Sequence, residues 1–308
     1  MDTITAFAPA HSTGLFFIHD TADEPLYRGS LGAGFSVDLG VYSTVSLSPP
    51  KYGTSPDPSF RIGGKEIPLA ELPVSRAVYR HFLGRCGDLA GRELTAEHRI
   101  EPPQGSGFGT SGAGALSLAL ALNAALEYPL TAEEAGGIAH VAEVESRTGL
   151  GTVIGEFFGG FELRTEAGAP GFGKIEPMAF ETGLTAVFAV FGPYSTRSAL
   201  SDHTIRDRIN SLGRQYYREL RASPTVEHFL RYSADFSKGT GLMTVHCRAA
   251  IESMEQAGYT GAMLMFGDGA FSLVPQEDAS RVEEVLRETH PRAEVFSSRI
   301  NSTGGKVL

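Results

Sequence analysis

Apolar and polar positions repeat with two different periods along the chain. In the first third the period is close to two: Ile4 to Ala8, Leu15 to Ile18, Phe35 to Ser48 and Leu94 to Ile100 set β-branched, aromatic and leucine residues between smaller or polar ones, the pattern of strands. Pro9 to Gly14 interrupts the first two runs and predicts a break between them. Gly29 to Gly34, rich in Gly and Ser, leads into the third run, and Arg61 to Ile67 reads as a hairpin turning on Gly63-Gly64. Elsewhere the period is helical. Leu72 to Cys86 spaces Val74, Val78 and Phe82 for one helix face, and an Ala/Leu run to Ala125 predicts another helix. Thr131-Ala-Glu-Glu134 spells a capping box opening a helix to about Glu145. Gly159-Gly160 then starts a strand, Phe161 to Thr165.

Glu166 to Gly173 is the most loop-like stretch and the best boundary, giving domains at 1–176 and 177–308. Beyond it the pattern predicts a strand at Thr185 to Phe191 and helices at Ser198 to Ser211, Pro224 to Phe236 and Leu242 to Gln256. Two strands follow around Gly267-Asp268-Gly269, with a helix from Ala279 and a strand near Val295. Sheet first, helices next and strands again make an α+β chain of two domains.

Composition narrows the function. The 42% hydrophobic and 20% charged fractions are those of an ordinary globular protein. A net charge of -10 leaves no basic stripe for nucleic acid. Cys86 and Cys247 are too far apart in sequence for a disulfide framework or zinc site, which favours the reducing cytoplasm. The first residues lack a signal peptide's basic start and apolar core, and no run is long enough to span a membrane. A homodimer is left open.

The chemistry concentrates in Glu101 to Ala125. Gly105, Gly107, Gly109 and Gly112 lie among Ser106, Thr110 and Ser111, directly before the Ala/Leu helix. Glycine permits positive φ and close approach of a ligand to the main chain, and a helix start offers free N–H groups and a positive dipole end. The junction is therefore suited to an anion such as a phosphate chain. It is not a Walker loop, because no lysine occurs between Lys65 and Lys174. Gly107, Gly109 and Gly112 do spell G-x-G-x-x-G, but about a hundred residues from where a dinucleotide fold begins.

Pro103-Gln-Gly105-Ser-Gly107-Phe-Gly109-Thr-Ser111-Gly-Ala113 resembles the second signature of the GHMP small-molecule kinases. That resemblance implies the two-domain GHMP kinase fold, with the nucleotide bound at the glycine-rich loop between domains. It implies ATP held by Pro103, Gly105, Ser106, Gly107, Phe108, Gly109, Thr110, Ser111 and Gly112, and magnesium (Mg2+) held by Ser111 and Glu143, with Glu145 as the fallback. Pro9-Ala10-His11 resembles the first signature, with histidine at the usual basic position. Thr152 follows Gly149-Leu-Gly151, where many members carry an aspartate taken as catalytic base. Either the base is elsewhere or none is needed, which a loose phosphoryl-transfer transition state tolerates. Thr260 to Gly269 is a weak form of the third signature, with Asp268 read as a turn residue.

Within the superfamily, Phe7 to Phe16, Gly29 to Gly34, the phosphate loop, Glu143 to Gly151, Gly192 to Thr196 and Gly261 to Met263 are similar to the archaeal pantoate kinases. This implies phosphorylation of pantoate in coenzyme A biosynthesis, with the substrate carboxylate met by a cation or by amides. Candidates are His11, Arg28, Ser30, Arg147 and Arg197. Two other readings stand beside it: a GHMP kinase for homoserine or a mevalonate-type alcohol, and a non-catalytic nucleotide sensor on the same fold.

Overall fold

The computed structural model describes residues 3–49, 57–194 and 202–308. Strand β1 (Thr3–His19) runs unbroken through Pro9 to Gly14. The expected break is instead two bulges, between Pro9 and Ala10 and between Thr13 and Leu15, which absorb the irregular residues while pairing with β2 (Gly29–Ser48) continues. The hairpin of β3 (Ser59–Ile62) and β4 (Lys65–Ile67) turns on Gly63-Gly64 as the sequence predicts. After helix α1 (Pro73–Arg85), β5 (Glu93–Ile100) delivers the chain to the glycine loop and α2 (Thr110–Ala125).

Nearly every residue of α2 is buried. A helix that is apolar all round must be covered on all sides, and α2 packs between β1, β2, α1 and α3 (Ala132–Ser146). The capping box forms as spelled: Glu134 N–H donates to Thr131 Oγ1 at 3.2 Å and Thr131 N–H to Glu134 Oε2 at 2.8 Å. A short helix that the pattern did not predict, α4 (Thr152–Phe158), stands between Gly151 at φ 96° and Gly159 at φ 73°.

Strands β6 (Phe161–Glu166) and β7 (Lys174–Met178) extend the first sheet, whose order is β12-β1-β2-β5-β3-β4 with β12 spanning Lys306–Val307, β6 paired to β2 and β7 paired to β6. Only the β3–β5 pairing among these is parallel. The second sheet, of order β11-β8-β10-β9, uses β8 (Leu184–Pro193), β9 (Gly261–Met263), β10 (Gly267–Pro275) and β11 (Glu294–Arg299). Of helices α5 (His203–Ala222), α6 (Val226–Thr240), α7 (Val245–Gln256) and α8 (Gln276–Thr289), the last three pack on it, and α5 packs on β1 and α6. Helix α5 continues well past Ser211, and Ser198 to Ser201 lie outside the described residues. The turn expected at Gly267 to Gly269 falls earlier, at Leu264 to Phe266, with Phe266 at φ 61°. Strand β12 (Lys306–Val307) returns to pair with β1.

Candidate active site

The glycine loop has the backbone its sequence demands. Gly105, Gly107 and Gly109 take φ of 71°, 88° and 60°, a region that favours glycine, and Gly109 is the N-cap of α2. Space is as restrictive as conformation. A Cβ on Gly107 would stand 2.9 Å from the Met265 carbonyl of the second domain, and one on Gly109 would stand 2.5 Å from Glu156 Oε1. His11 N–H donates to the Phe108 carbonyl at 3.0 Å, and Tyr194 N–H, just after β8, donates to the Gly105 carbonyl at 2.9 Å. Both domains thus grip the loop.

Beside the loop lies a cleft of about 500 Å³. Gly105, Gly107, Gly109, Thr110 and Ser111 form one wall, and Glu143, Arg147 and Thr152 border it. His11, Thr13 and Ser30 line a second part, and Ile62, Leu72, Val74 and Ile100 an apolar end. Phe108 borders the cleft although its side chain is buried against Phe188 and Phe296. Three loop residues lie behind the lining: Pro103, Gly112 and Ser106, whose buried hydroxyl donates to the Gln104 carbonyl at 3.4 Å.

Ser111 and Glu143 both line the cleft. Glu143 is buried and accepts from Thr148 Oγ1 at 2.6 Å, and the Ser111 hydroxyl lies near enough to favour its charged form. Burial pushes its carboxyl above the ordinary range, and the Thr148 and Ser111 hydroxyls hold it back. A hydroxyl and a carboxylate are hard oxygen donors of the kind that suit magnesium. The fallback, Glu145, is instead paired at the surface with Arg80 at 2.6 Å and His81 at 3.1 Å.

The basic candidates separate. Arg147, the left-handed C-cap of α3, borders the cleft with no ion pair among the described residues. Ser30 Oγ donates to the Leu150 carbonyl at 2.7 Å at the cleft wall. Arg28 does not line the cleft: its guanidinium donates to the Ala22 and Asp23 carbonyls at 2.7 and 3.0 Å. Arg197 lies outside the described residues. Asp268 opens β10, beside a register shift, rather than sitting in a turn, and accepts from Thr244 and, at 3.1 Å, His246.

Three charged residues escaped the motif reading. Glu162 Oε1 accepts from His11 Nε2 at 2.8 Å and from Arg164 Nη1 at 2.7 Å, all three side chains buried. The His11 ring fits a slot left by Gly34 and Gly155, where a Cβ would come within 2.5 and 2.6 Å of it. Burial pulls the Arg164 guanidinium below its ordinary value, and the Glu162 charge opposes that shift. Glu156, the third, sits behind Thr152 under the loop, fully buried. Glu162 and Arg164 alternate with Phe161 and Leu163, so their spacing on one strand face was the available signal.

The family description "GHMP kinases N terminal domain" matches residues 74–160, the segment from α1 through α4. A pantoate kinase of Thermococcus kodakarensis is 31% identical over 303 residues, covering 96% of this chain and 97% of that protein. A pantoate kinase of Methanocaldococcus jannaschii is 30% identical, covering 91% and 96% respectively. Among solved structures, a "Phosphotransferase related to CoA biosynthesis pathway" superposes with a TM-score of 0.89 at 28% identity, over 100% of this chain and 99% of that one. With the phosphate loop, the two-domain architecture and end-to-end similarity agreeing, the chain belongs to the pantoate kinases of the GHMP kinase superfamily.

Proposed function

We propose that the protein transfers the terminal phosphoryl group of ATP to the primary hydroxyl of pantoate, giving 4-phosphopantoate for coenzyme A synthesis. The observation that carries this reading is a single cleft that joins the glycine loop, Ser111 and Glu143 to Ser30, Thr13 and Arg147, in a chain that matches pantoate kinases end to end. Phosphoryl transfer is chiefly positioning and charge neutralisation. The loop amides and the start of α2 supply fixed positive dipoles for the ATP phosphates. The apolar end beside Ile62 and Val74 suits the adenine. Ser111 and Glu143 would hold magnesium, which when bound supplies the cationic charge that a lysine-free loop lacks.

Pantoate carries a carboxylate as its handle, and Arg147 is the cation we assign to it, since it borders the cleft with no ion pair among the described residues. The domain division near residue 176 and a cytoplasmic location are part of the same proposal. Among the described residues no helix is long and apolar enough to cross a membrane. The test is ADP release by the purified chain with ATP and magnesium over pantoate, pantoyl lactone, pantothenate, homoserine and mevalonate. Pantoate should turn over, the lactone should not, and pantothenate, whose carboxylate is displaced by an amide, should react poorly. Turnover of homoserine or mevalonate with none of pantoate would reassign the substrate, and nucleotide binding with no turnover at all would favour the sensor.

A further inference from the structure

Glu156 is buried in a place where a carboxylate has no protein partner. Its side chain is 0% exposed, and neither carboxylate oxygen has a hydrogen-bond partner among the described residues. Such burial is costly. Burial raises its pKa well above the ordinary range, the Glu143 charge adds to the shift, and the Glu162 charge adds further. The Thr152 hydroxyl pulls the other way without reaching hydrogen-bond geometry, and Thr152 Oγ1 is itself unpartnered.

The position of this carboxylate is as informative as its isolation. A Cβ on Gly112 would stand 2.6 Å from Glu156 Oε2 and 3.0 Å from Thr152 Oγ1, and one on Gly109 would stand 2.5 Å from Glu156 Oε1. The group therefore lies against the first turn of α2, the same turn that bears Ser111. On the other side, a Cβ on Gly149 would collide with Glu143 Oε2 and stand 3.6 Å from Thr152 Oγ1. Thr152 Oγ1 thus lies within a few ångströms of both carboxyl groups. Residues four apart share a helix face, and helical side chains lean toward the N-terminus, so Glu156 reaches forward on α4 to the level of residue 152. A bare carboxylate there would repel a phosphate held by the loop. A divalent cation between them reverses that sign.

We propose that Glu156 is a second carboxylate for the divalent cation, acting with Ser111 and Glu143. Nucleotide enzymes commonly hold magnesium with one or two carboxylates and leave the remaining positions to phosphate oxygens and water. Two carboxylates and a hydroxyl therefore make a sufficient protein share. The inference rests on the ATP-dependent kinase reading only for the identity of the ion, and its test does not use pantoate.

The experiment is a Mn2+ titration of the full chain with ADP, followed by the electron paramagnetic resonance signal of free Mn2+. Glu156→Gln should weaken Mn2+ binding by about tenfold or more, and Thr152→Asp added to it should recover much of the loss by returning a carboxylate to the same place. Glu156→Asp, which draws the charge back by one methylene, should lose less and serves should the glutamine variant fail to fold. Wild-type Mn2+ affinity in the folded variants overturns the proposal. So does a loss that Thr152→Asp does not restore at all, because it would trace to the fold rather than to the carboxylate. Mn2+ binding through Glu156 in a chain inactive on pantoate would overturn the substrate and leave this site standing.

Discussion

His11 and Glu162 are 151 residues apart in sequence, yet their side chains meet at 2.8 Å with neither exposed to solvent. Glu162 also accepts from Arg164 Nη1 at 2.7 Å, so one carboxylate oxygen anchors the bulged strand β1 to β6. Because His11 N–H also holds the Phe108 carbonyl, this buried triad braces the phosphate loop from below.

The triad predicts an asymmetric stability pattern. Glu162→Leu leaves Arg164 buried without its counter-charge and should cost roughly 3–5 kcal/mol. Arg164→Met in the same chain should return part of that. Urea unfolding midpoints of the two single variants and the double variant test this; strictly additive losses would show that the pair does not act as a unit.

Magnesium binding predicts that Ser111→Ala and Glu143→Gln each lower turnover on the order of 10²-fold or more while the thermal midpoint stays near that of the wild type. A variant with near-normal turnover at saturating ATP and magnesium removes that residue from the assignment.

Thr152→Val should cost about 10²-fold or less in kcat, the loss expected from misplacement rather than from removal of a base. Abolished turnover in a well-folded variant would give Thr152 a larger part than positioning.

Arg147→Ala should raise KM for pantoate and leave KM for ATP little changed, because the interaction it removes is with the substrate carboxylate. Steady-state kinetics with each substrate varied in turn decide it, and an unchanged KM for pantoate excludes Arg147.

Two buried histidines predict acid sensitivity. Burial pushes His98 and His140 down from 6.5 to about 4. The unfolded chain takes up protons near 6.5 while the folded chain does not, so stability is full above that pH and falls as pH drops toward 4. The loss by then is roughly 3 kcal/mol per histidine. Thermal midpoints between pH 7 and 4.5 should fall more gently for His98→Gln and His140→Gln than for the wild type. Parallel curves would show that other groups set the acid limit.

What the sequence revealed was whatever local rules govern. The hairpin at Gly63-Gly64, the Thr131 capping box and the loop feeding α2 each depend on a few adjacent residues, and each formed as read. Ser111 and Glu143 were singled out because resembling motifs carry them. Glu156, Glu162 and Arg164 were not, since a charged residue on a short helix or strand looks the same whether its face is solvated or buried. Pro9 to Gly14 suggested a break because bulged pairing depends on the partner strand, which no local window contains. Helix α4, of seven residues between glycines, is too short for its period to show.

The pairing of β12 with β1, through Ala6 with Val307 and Phe7 with Lys306, sets an order on biosynthesis. Strand β1 leaves the ribosome ahead of the other described strands, and Ala6 and Phe7 must wait for residues some three hundred positions later before they gain their partners at its outer edge. The chain passes from the first sheet to the second after β7 and comes back after β11, where Ile300 bridges Val37 and Asn301 Nδ2 donates to Asp38 at 3.0 Å. The nucleotide-binding half therefore cannot be completed as an independent unit during translation. A ribosome-stalled chain ending before residue 300 should remain open to protease along β1, and should become resistant only when the last residues emerge.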